Sequence, residues 1–167
     1  MIKISIVLPT YNEKTNIIIL VNKIIKITKD FPKKEIIIVD DSSPDGTYEH
    51  AKEKFKSKNY VKIYSRKKNF SLGASVGFGI TKSKGNKIIV MDTDLTHDPR
   101  LIPKLIECSK KFDLVSGSRF SKGGSMYSFF HYTCSLFFNY FLRLLLKSSL
   151  RDNLGSFFCI NKKALKI

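Results

Sequence analysis

Five short apolar runs punctuate the chain: Lys3–Leu8, Glu35–Val39, Val61–Tyr64, Lys87–Met91 and Asp113–Ser116. Each has the length of a strand, is rich in Ile and Val, and is bounded by turn-forming residues. Little polar alternation interrupts them, as expected of strands covered on both faces. Between them lie Glu13–Lys29, Thr47–Lys56, Leu72–Ser83 and Pro99–Lys111, which read as helices. Such alternation predicts an α/β domain on a mainly parallel sheet with right-handed crossovers. Ser43 followed by Pro44 reads as a helix entry, a capping hydroxyl with proline at the first helical position. With 167 residues, no internal repeat and no long linker, a single domain is expected.

Composition adds an electrostatic question. Thirty Lys and Arg against 14 Asp and Glu give a formal charge of +16, while a hydrophobic share of 43% is ordinary for a folded chain. Disorder is disfavoured, and attraction to nucleic acid, an acidic membrane or a phosphorylated substrate is favoured. Lysines far outnumber arginines, although arginine suits bidentate phosphate or base readout better. Much of the lysine accompanies a heavy use of Ile, a compositional habit. Cys108, Cys134 and Cys159 show no metal-binding spacing and read as small core residues in a reduced setting. The amino terminus, MIKISIVLPTYNE, has too short an apolar run for a secretory signal and reads as a first strand.

The negative residues are more informative than the positive ones. Glu13 follows the first strand; Asp40, Asp41 and Asp45 follow the second; Asp92, Asp94 and Asp98 follow the fourth. Half of the carboxylates therefore lie beyond the carboxyl ends of three strands, the edge where open α/β sheets bind ligands. In an extended segment Asp92 and Asp94 share a face, and two carboxylates with substrate phosphates suit Mg²⁺ or Mn²⁺. Asp41 is a candidate acceptor for ribose or base hydrogen bonds. Pro9, Tyr11 and Glu13 are placed to line the same pocket, with Tyr11 packing on a base. The Ser-Pro-Asp-Gly stretch reads as an Asx turn plus helix cap. No phosphate-loop, nucleophile-elbow or zinc-protease motif occurs, and His50, His97 and His131 share no metal spacing.

PTYNE, DDSSPDGT, MDTDLTHDP and SGSRF, in this order and spacing, resemble the family 2 inverting glycosyltransferases of the GT-A fold. The dolichol- and polyprenyl-phosphate sugar transferases are the most similar branch. The resemblance implies a Rossmann-like nucleotide-sugar fold over residues 1–167, short at its carboxyl end relative to the family. It places Pro9, Tyr11, Glu13, Val39 and Asp41 around the nucleotide, and Thr93 near the diphosphate. Asp92 and Asp94 match the metal-binding pair, and Thr96 a position where some relatives assist the metal with a longer Gln. Arg119 matches an arginine beside the reacting phosphates, and Asp152 an acidic residue near the acceptor. Asp94, Arg119 and Asp152 are thus the expected catalytic group.

Residues 126–148 hold a further element. Within Tyr127–Lys147, Ser128, His131, Ser135, Asn139, Arg143 and Lys147 recur every three or four positions. At 100° per residue they occupy about 160° of a helix, leaving a wide face of Phe, Tyr and Leu. That pattern predicts an amphipathic membrane-interface helix, as the family has after its SGSR motif, with a helix packed into the domain core as the alternative. Arg143 and Asn139 argue against a transmembrane span. The expected activity is metal-dependent, inverting transfer of a hexose, with GDP-mannose the favoured donor, to a polyprenyl phosphate at the cytoplasmic face of a membrane. A UDP-glucose donor, a saccharide acceptor, or a chain that binds without turnover are the other readings. Nucleic acid is disfavoured, because the carboxylates cluster where phosphates would have to come.

Overall fold

Strands apolar on both faces need a layer on each side, and the computed structural model, which describes residues 3–120 and 129–165, supplies both. The elements are β1 Ile4–Thr10, α1 Lys14–Ile27, β2 Lys34–Asp40, α2 Thr47–Phe55, β3 Val61–Ser65, α3 Leu72–Lys82 and β4 Lys87–Val90. A 3₁₀ turn at Pro99–Leu101, α4 Ile102–Cys108, β5 Leu114–Ser116, α5 Phe129–Leu146, β6 Phe158–Asn161 and a 3₁₀ turn at Lys162–Ala164 complete the chain. They form one six-stranded sheet in the order β3-β2-β1-β4-β6-β5. The first four strands are parallel, and β6 runs antiparallel between β4 and β5.

Alternate residues of β1 and β2 feed different layers. Ile4, Ile6, Leu8, Ile36 and Ile38 join the larger core with Ile17, Leu20 and Ile24 of α1 and Ile102 of α4. Val7, Ile37, Val39, Ile88 and Val90 face the other way, towards Val76 and Ile80 of α3. There Gly79 allows α3 to lie close on the sheet, because a Cβ would stand 2.2 Å from Val7 Cγ1. The opposite end of the sheet is tied by buried Glu35, which accepts hydrogen bonds from Ser5 Oγ, Lys62 Nζ and the Lys84 amide.

Four expectations need revision. β6 was not among the expected strands; its four residues alternate buried and half-buried positions and become a strand by pairing with β4 and β5. The expected helix Pro99–Lys111 is divided, because Pro103 has no N–H to donate and the α-helical ladder starts only around it. Ser43-Pro44 does not open α2: that helix starts at Thr47 after Gly46 at φ +79°, and Ser43 instead bonds Asp40. Among the cysteines, Cys159 is a core residue, whereas Cys134 is exposed on α5.

The helix expected over residues 126–148 is α5; residues 126–128 and the side chain of His131 lie outside the description. Phe130, Phe137, Tyr140, Leu144, Leu145 and Leu146 are all exposed, while Asn139 is buried. Of the polar stripe, Asn139 is buried and Ser135 half-buried while Arg143 and Lys147 are exposed; the apolar face points outward, which overturns the core-packed alternative. No helix among the described residues is long and apolar enough to cross a membrane.

Candidate active site at the carboxyl edge of the sheet

β1, β2 and β4 end side by side, so the three acidic segments of the sequence meet at one edge. Their loops are stitched together by hydrogen bonds. Asp41 N donates to Thr10 O at 3.1 Å, Asn12 N to Ser43 Oγ at 2.9 Å and Glu13 N to Thr47 Oγ1 at 3.0 Å. Lys14 N donates to Asp45 Oδ2 at 3.1 Å, and Thr93 Oγ1 to the Pro9 carbonyl at 3.2 Å. The chain turns sharply here: Asn12, Ser42, Asn69 and Leu95, soon after β1, β2, β3 and β4, all have left-handed φ between 55° and 66°. Backbone in this sparsely populated region concentrates at functional sites.

The carboxylates at this edge divide into two groups. Asp40 gives one oxygen to Ser43 N and the other to Ser43 Oγ; Asp45 binds Thr47 with Oδ1 and Lys14 N with Oδ2. Asp98 spends both oxygens on Arg100. These three are structural. In Asp41, Asp92 and Asp94, by contrast, every hydrogen bond among the described residues falls on a single oxygen. Each leaves its second oxygen without a hydrogen bond from a described residue.

Asp41 Oδ1 accepts from Arg66 Nη1 at 2.9 Å and from Ser75 Oγ at 2.7 Å. Arg66 also donates to the carbonyls of Lys68 and Asn69, fastening the 67–71 loop beside the Asp41 carboxylate. Asp94 Oδ1 accepts from both the amide and the hydroxyl of Thr96, at 3.0 and 2.7 Å. Asp92 Oδ2 accepts from Ser156 Oγ and lies 3.3 Å from His97 Nε2, whose ring packs against Phe157. Burial pushes the Asp92 carboxyl up, but the hydrogen bonds from His97 and Ser156 and the His97 charge outweigh it, leaving it below the ordinary range.

Arg119 and Asp152 form a forked pair. Nε donates to Oδ2 at 2.8 Å, Nη2 to Oδ1 at 2.9 Å, and the Arg119 amide adds a third bond at 3.2 Å. The Asp152 side chain is wholly buried, whereas Arg119 is one-third exposed. Burial raises the Asp152 carboxyl, yet the Arg119 hydrogen bonds and charge carry it below the usual value. Asp152 thereby aims the guanidinium and has no oxygen left over for proton transfer.

Other expected residues settle differently. Pro9 and Val39 are buried, Val39 within the core layer that faces α3, and Tyr11 is exposed. Glu13 is half-buried and accepts from Asn16. Thr93 is buried against β1, where its hydroxyl is engaged by the Pro9 carbonyl and ties PTYNE to the DTD segment. Arg66, Ser75 and Ser156 were missed. A cavity of about 850 Å³ lies on the far side of the acidic loop, between α1 and residues 95–100, and shares Thr96 and His97 with it.

The donors available to a cation are hard oxygens, the second oxygens of Asp92 and Asp94 with the Thr96 hydroxyl beside them. They fit Mg²⁺ or Mn²⁺, which take few protein carboxylates and complete their shells with water and phosphate. Consistent with so sparse a donor set, no group of three or more His, Cys, Asp or Glu converges among the described residues.

Comparison with known proteins places this geometry. Over 125 residues, 74% of the chain, it is 42% identical to the dolichol-phosphate mannosyltransferase of Pyrococcus furiosus, covering 35% of that protein. It is 33% identical over 73% of its length to the Saccharomyces cerevisiae enzyme of the same name, covering 46% of it. The chain thus spans less than half the length of these two relatives. Among solved structures, the fold superposes with a TM-score of 0.73 on glucosyl-3-phosphoglycerate synthase from Mycobacterium tuberculosis in complex with Mn²⁺, UDP and phosphoglyceric acid. The match has 19% identity and covers 98% of this chain and 57% of that one. A mannosyltransferase from Pyrobaculum calidifontis in complex with GDP-Man and Mn²⁺ gives a TM-score of 0.69 at 15% identity, covering 98% and 46%. These superpositions establish the GT-A fold. Residues 5–167 match the glycosyl transferase family 2 pattern, and the chain belongs to that family.

Proposed function

We propose that this domain transfers a hexose from a nucleoside diphosphate sugar, GDP-mannose first among candidates, to a polyprenyl phosphate at a membrane surface. The observation that carries the reading is the division among edge carboxylates. Asp41, Asp92 and Asp94 each hold one oxygen on the protein and offer the other, while Arg119 stands oriented by Asp152. The names of the relatives, dolichol-phosphate mannosyltransferases, support the acceptor class and the sugar.

In this mechanism Asp41 binds the nucleoside and Tyr11 covers it. Asp92 and Asp94 hold the cation, which when bound neutralises charge on the departing diphosphate. Arg119 stabilises the same developing charge from a preset direction. A lipid phosphate is already ionised near neutral pH, so its oxygen attacks the anomeric carbon without a general base. The bond to the nucleoside diphosphate breaks, its electron pair leaves with the diphosphate, and the configuration inverts. The engagement of both Asp152 oxygens accords with a reaction that needs no base there.

The outward apolar face of α5 supports a peripheral membrane site. Eighteen residues make a helix of about 27 Å with Phe, Tyr and Leu exposed and Arg143 near one end. The test is transfer of radiolabel from GDP-mannose or UDP-glucose, tried separately, to a polyprenyl phosphate with and without Mn²⁺. Metal-dependent label in the organic phase with inversion at the anomeric carbon is expected. Full activity in Asp94→Ala, or a retained configuration, refutes the proposal.

A further inference from the structure

Residues 152–156 touch three separate parts of the molecule within five positions. Asp152 grips Arg119 through three hydrogen bonds. Ser156 donates to Asp92 Oδ2, the oxygen also approached by His97. Between them, the Asn153 amide donates to Asn139 Oδ1 of α5 at 2.6 Å. The segment is pressed against the end of β5, since a Cβ on Gly155 would lie 3.1 Å from the carbonyl of Gly117, the residue after that strand. Asn139 is in turn fixed by its own helix, donating Nδ2 to the Ser135 carbonyl at 3.0 Å. It is the one buried side chain of α5 among the described residues.

We infer that residues 152–156 form a strap that sets Arg119 and Asp92 as one unit, and that Ser156 and Asn139 are positioning residues for the cation and diphosphate end of the site. The inference rests on the proposed roles of Asp92 and Arg119. Ser156 acts directly on a carboxylate offered to the cation: by occupying Oδ2 it turns Oδ1 outward. Asn139 touches neither Asp92 nor Arg119. It holds the strap at its second residue, Asn153, so its influence on both has to pass through the backbone of residues 152–156. The same contact joins the outward-facing helix to the donor side, and displacement of α5 would move Asp152 and Ser156 together.

The test measures Mn²⁺ binding to the full chain by electron paramagnetic resonance, with GDP or UDP present, beside thermal melting of each variant. Ser156→Ala is expected to weaken Mn²⁺ about tenfold, in the range seen when partners of metal ligands are removed. Ser156→Thr, which keeps the hydroxyl, should restore it. Asn139→Ala removes one buried hydrogen bond to the strap and is expected to weaken Mn²⁺ about fivefold. A control at the other end of the fold, Glu35→Gln, should lower the melting temperature and leave Mn²⁺ affinity unchanged. Wild-type affinity in both Ser156→Ala and Asn139→Ala overturns the strap while leaving the proposed function intact. Equal weakening in Glu35→Gln also overturns it, by reducing the effect to general stability. If the wild-type chain binds no Mn²⁺ with either nucleotide, the assignment of Asp92 falls, and the strap falls with it.

Discussion

Replacing Asp152 with Asn distinguishes a residue that aims Arg119 from one that moves a proton. The wild-type carboxylate accepts the forked pair from Arg119 at 2.8 and 2.9 Å, the Arg119 amide at 3.2 Å and the Leu154 amide at 3.2 Å. Asn keeps one acceptor oxygen but turns an NH₂ group towards a guanidinium that can only donate, and it removes the charge. Hydrogen bonds to charged groups contribute about 1.5–3 kcal/mol each. Arg119 is one-third exposed and regains hydration when released, so the net loss is discounted to about 2 kcal/mol. For a domain of this size that corresponds to a melting temperature lower by about 4–8 °C.

The kinetic consequence is sharper. Losing a preset donor to developing negative charge costs on the order of 100-fold in turnover, the expected effect of Arg119→Ala. Asp152→Asn should lose less, because Arg119 remains present but is no longer aimed. The double variant should be no slower than Arg119→Ala, since Asp152 has nothing left to aim. The assay is radiolabel transfer at saturating donor for wild type, both single variants and the double. Multiplicative losses in the double variant would show that Asp152 acts independently of Arg119, and would refute the positioning role.

Further outcomes follow from other parts of the fold. Gly79→Ala should destabilise the domain by about 1–3 kcal/mol in urea unfolding, because the new Cβ meets Val7 Cγ1 at 2.2 Å. Burial raises the Glu35 carboxyl, but hydrogen bonds from Lys62, Ser5 and the Lys84 amide hold it below its ordinary value. Its stabilisation is therefore present above the unfolded carboxylate pKa, about 4.3, and lost as pH falls through the lower folded value; melting temperatures between pH 3 and 6 should flatten in Glu35→Gln. Asp41→Asn should weaken nucleotide binding while leaving Mn²⁺ binding unchanged, checked by calorimetry with GDP and UDP. Phe137→Ser with Leu144→Ser should reduce sedimentation with anionic vesicles at an unchanged melting temperature, because both side chains are exposed.

The apolar runs foretold five of the six strands because strands buried on both faces need no partner-specific code beyond continuous Ile and Val. β6 escaped because Phe158–Asn161 carries little of that composition and owes its conformation to neighbours from residues 87–90 and 114–116. Helix positions were legible from helical spacing, as in Ile17, Leu20, Val21 and Ile24 of α1, but the Pro99–Leu101 turn depended on a single missing N–H at Pro103. For α5, spacing gave the polar stripe but not its direction. An amphipathic pattern is satisfied equally by burying either face, and the Asn139–Asn153 contact that decides it joins residues 14 apart.

At the site, the positions of the acidic residues could be read along the chain, whereas their availability could not. Asp40 and Asp41 are adjacent and chemically identical, yet the strand alternation sends them to opposite layers. Asp40 meets Ser43 and is consumed; Asp41 meets Arg66 and Ser75, both on one oxygen. Likewise Asp92 is oriented by Ser156, 64 positions away, through a contact that exists only because β6 pairs with β4. A carboxylate becomes a ligand when distant donors saturate one oxygen and leave the other, and those donors are assigned by topology. The net charge of +16 carries little of this: at the edge that matters, specificity lies in which carboxylate oxygens, one each on Asp41, Asp92 and Asp94, the positive and polar groups have not covered.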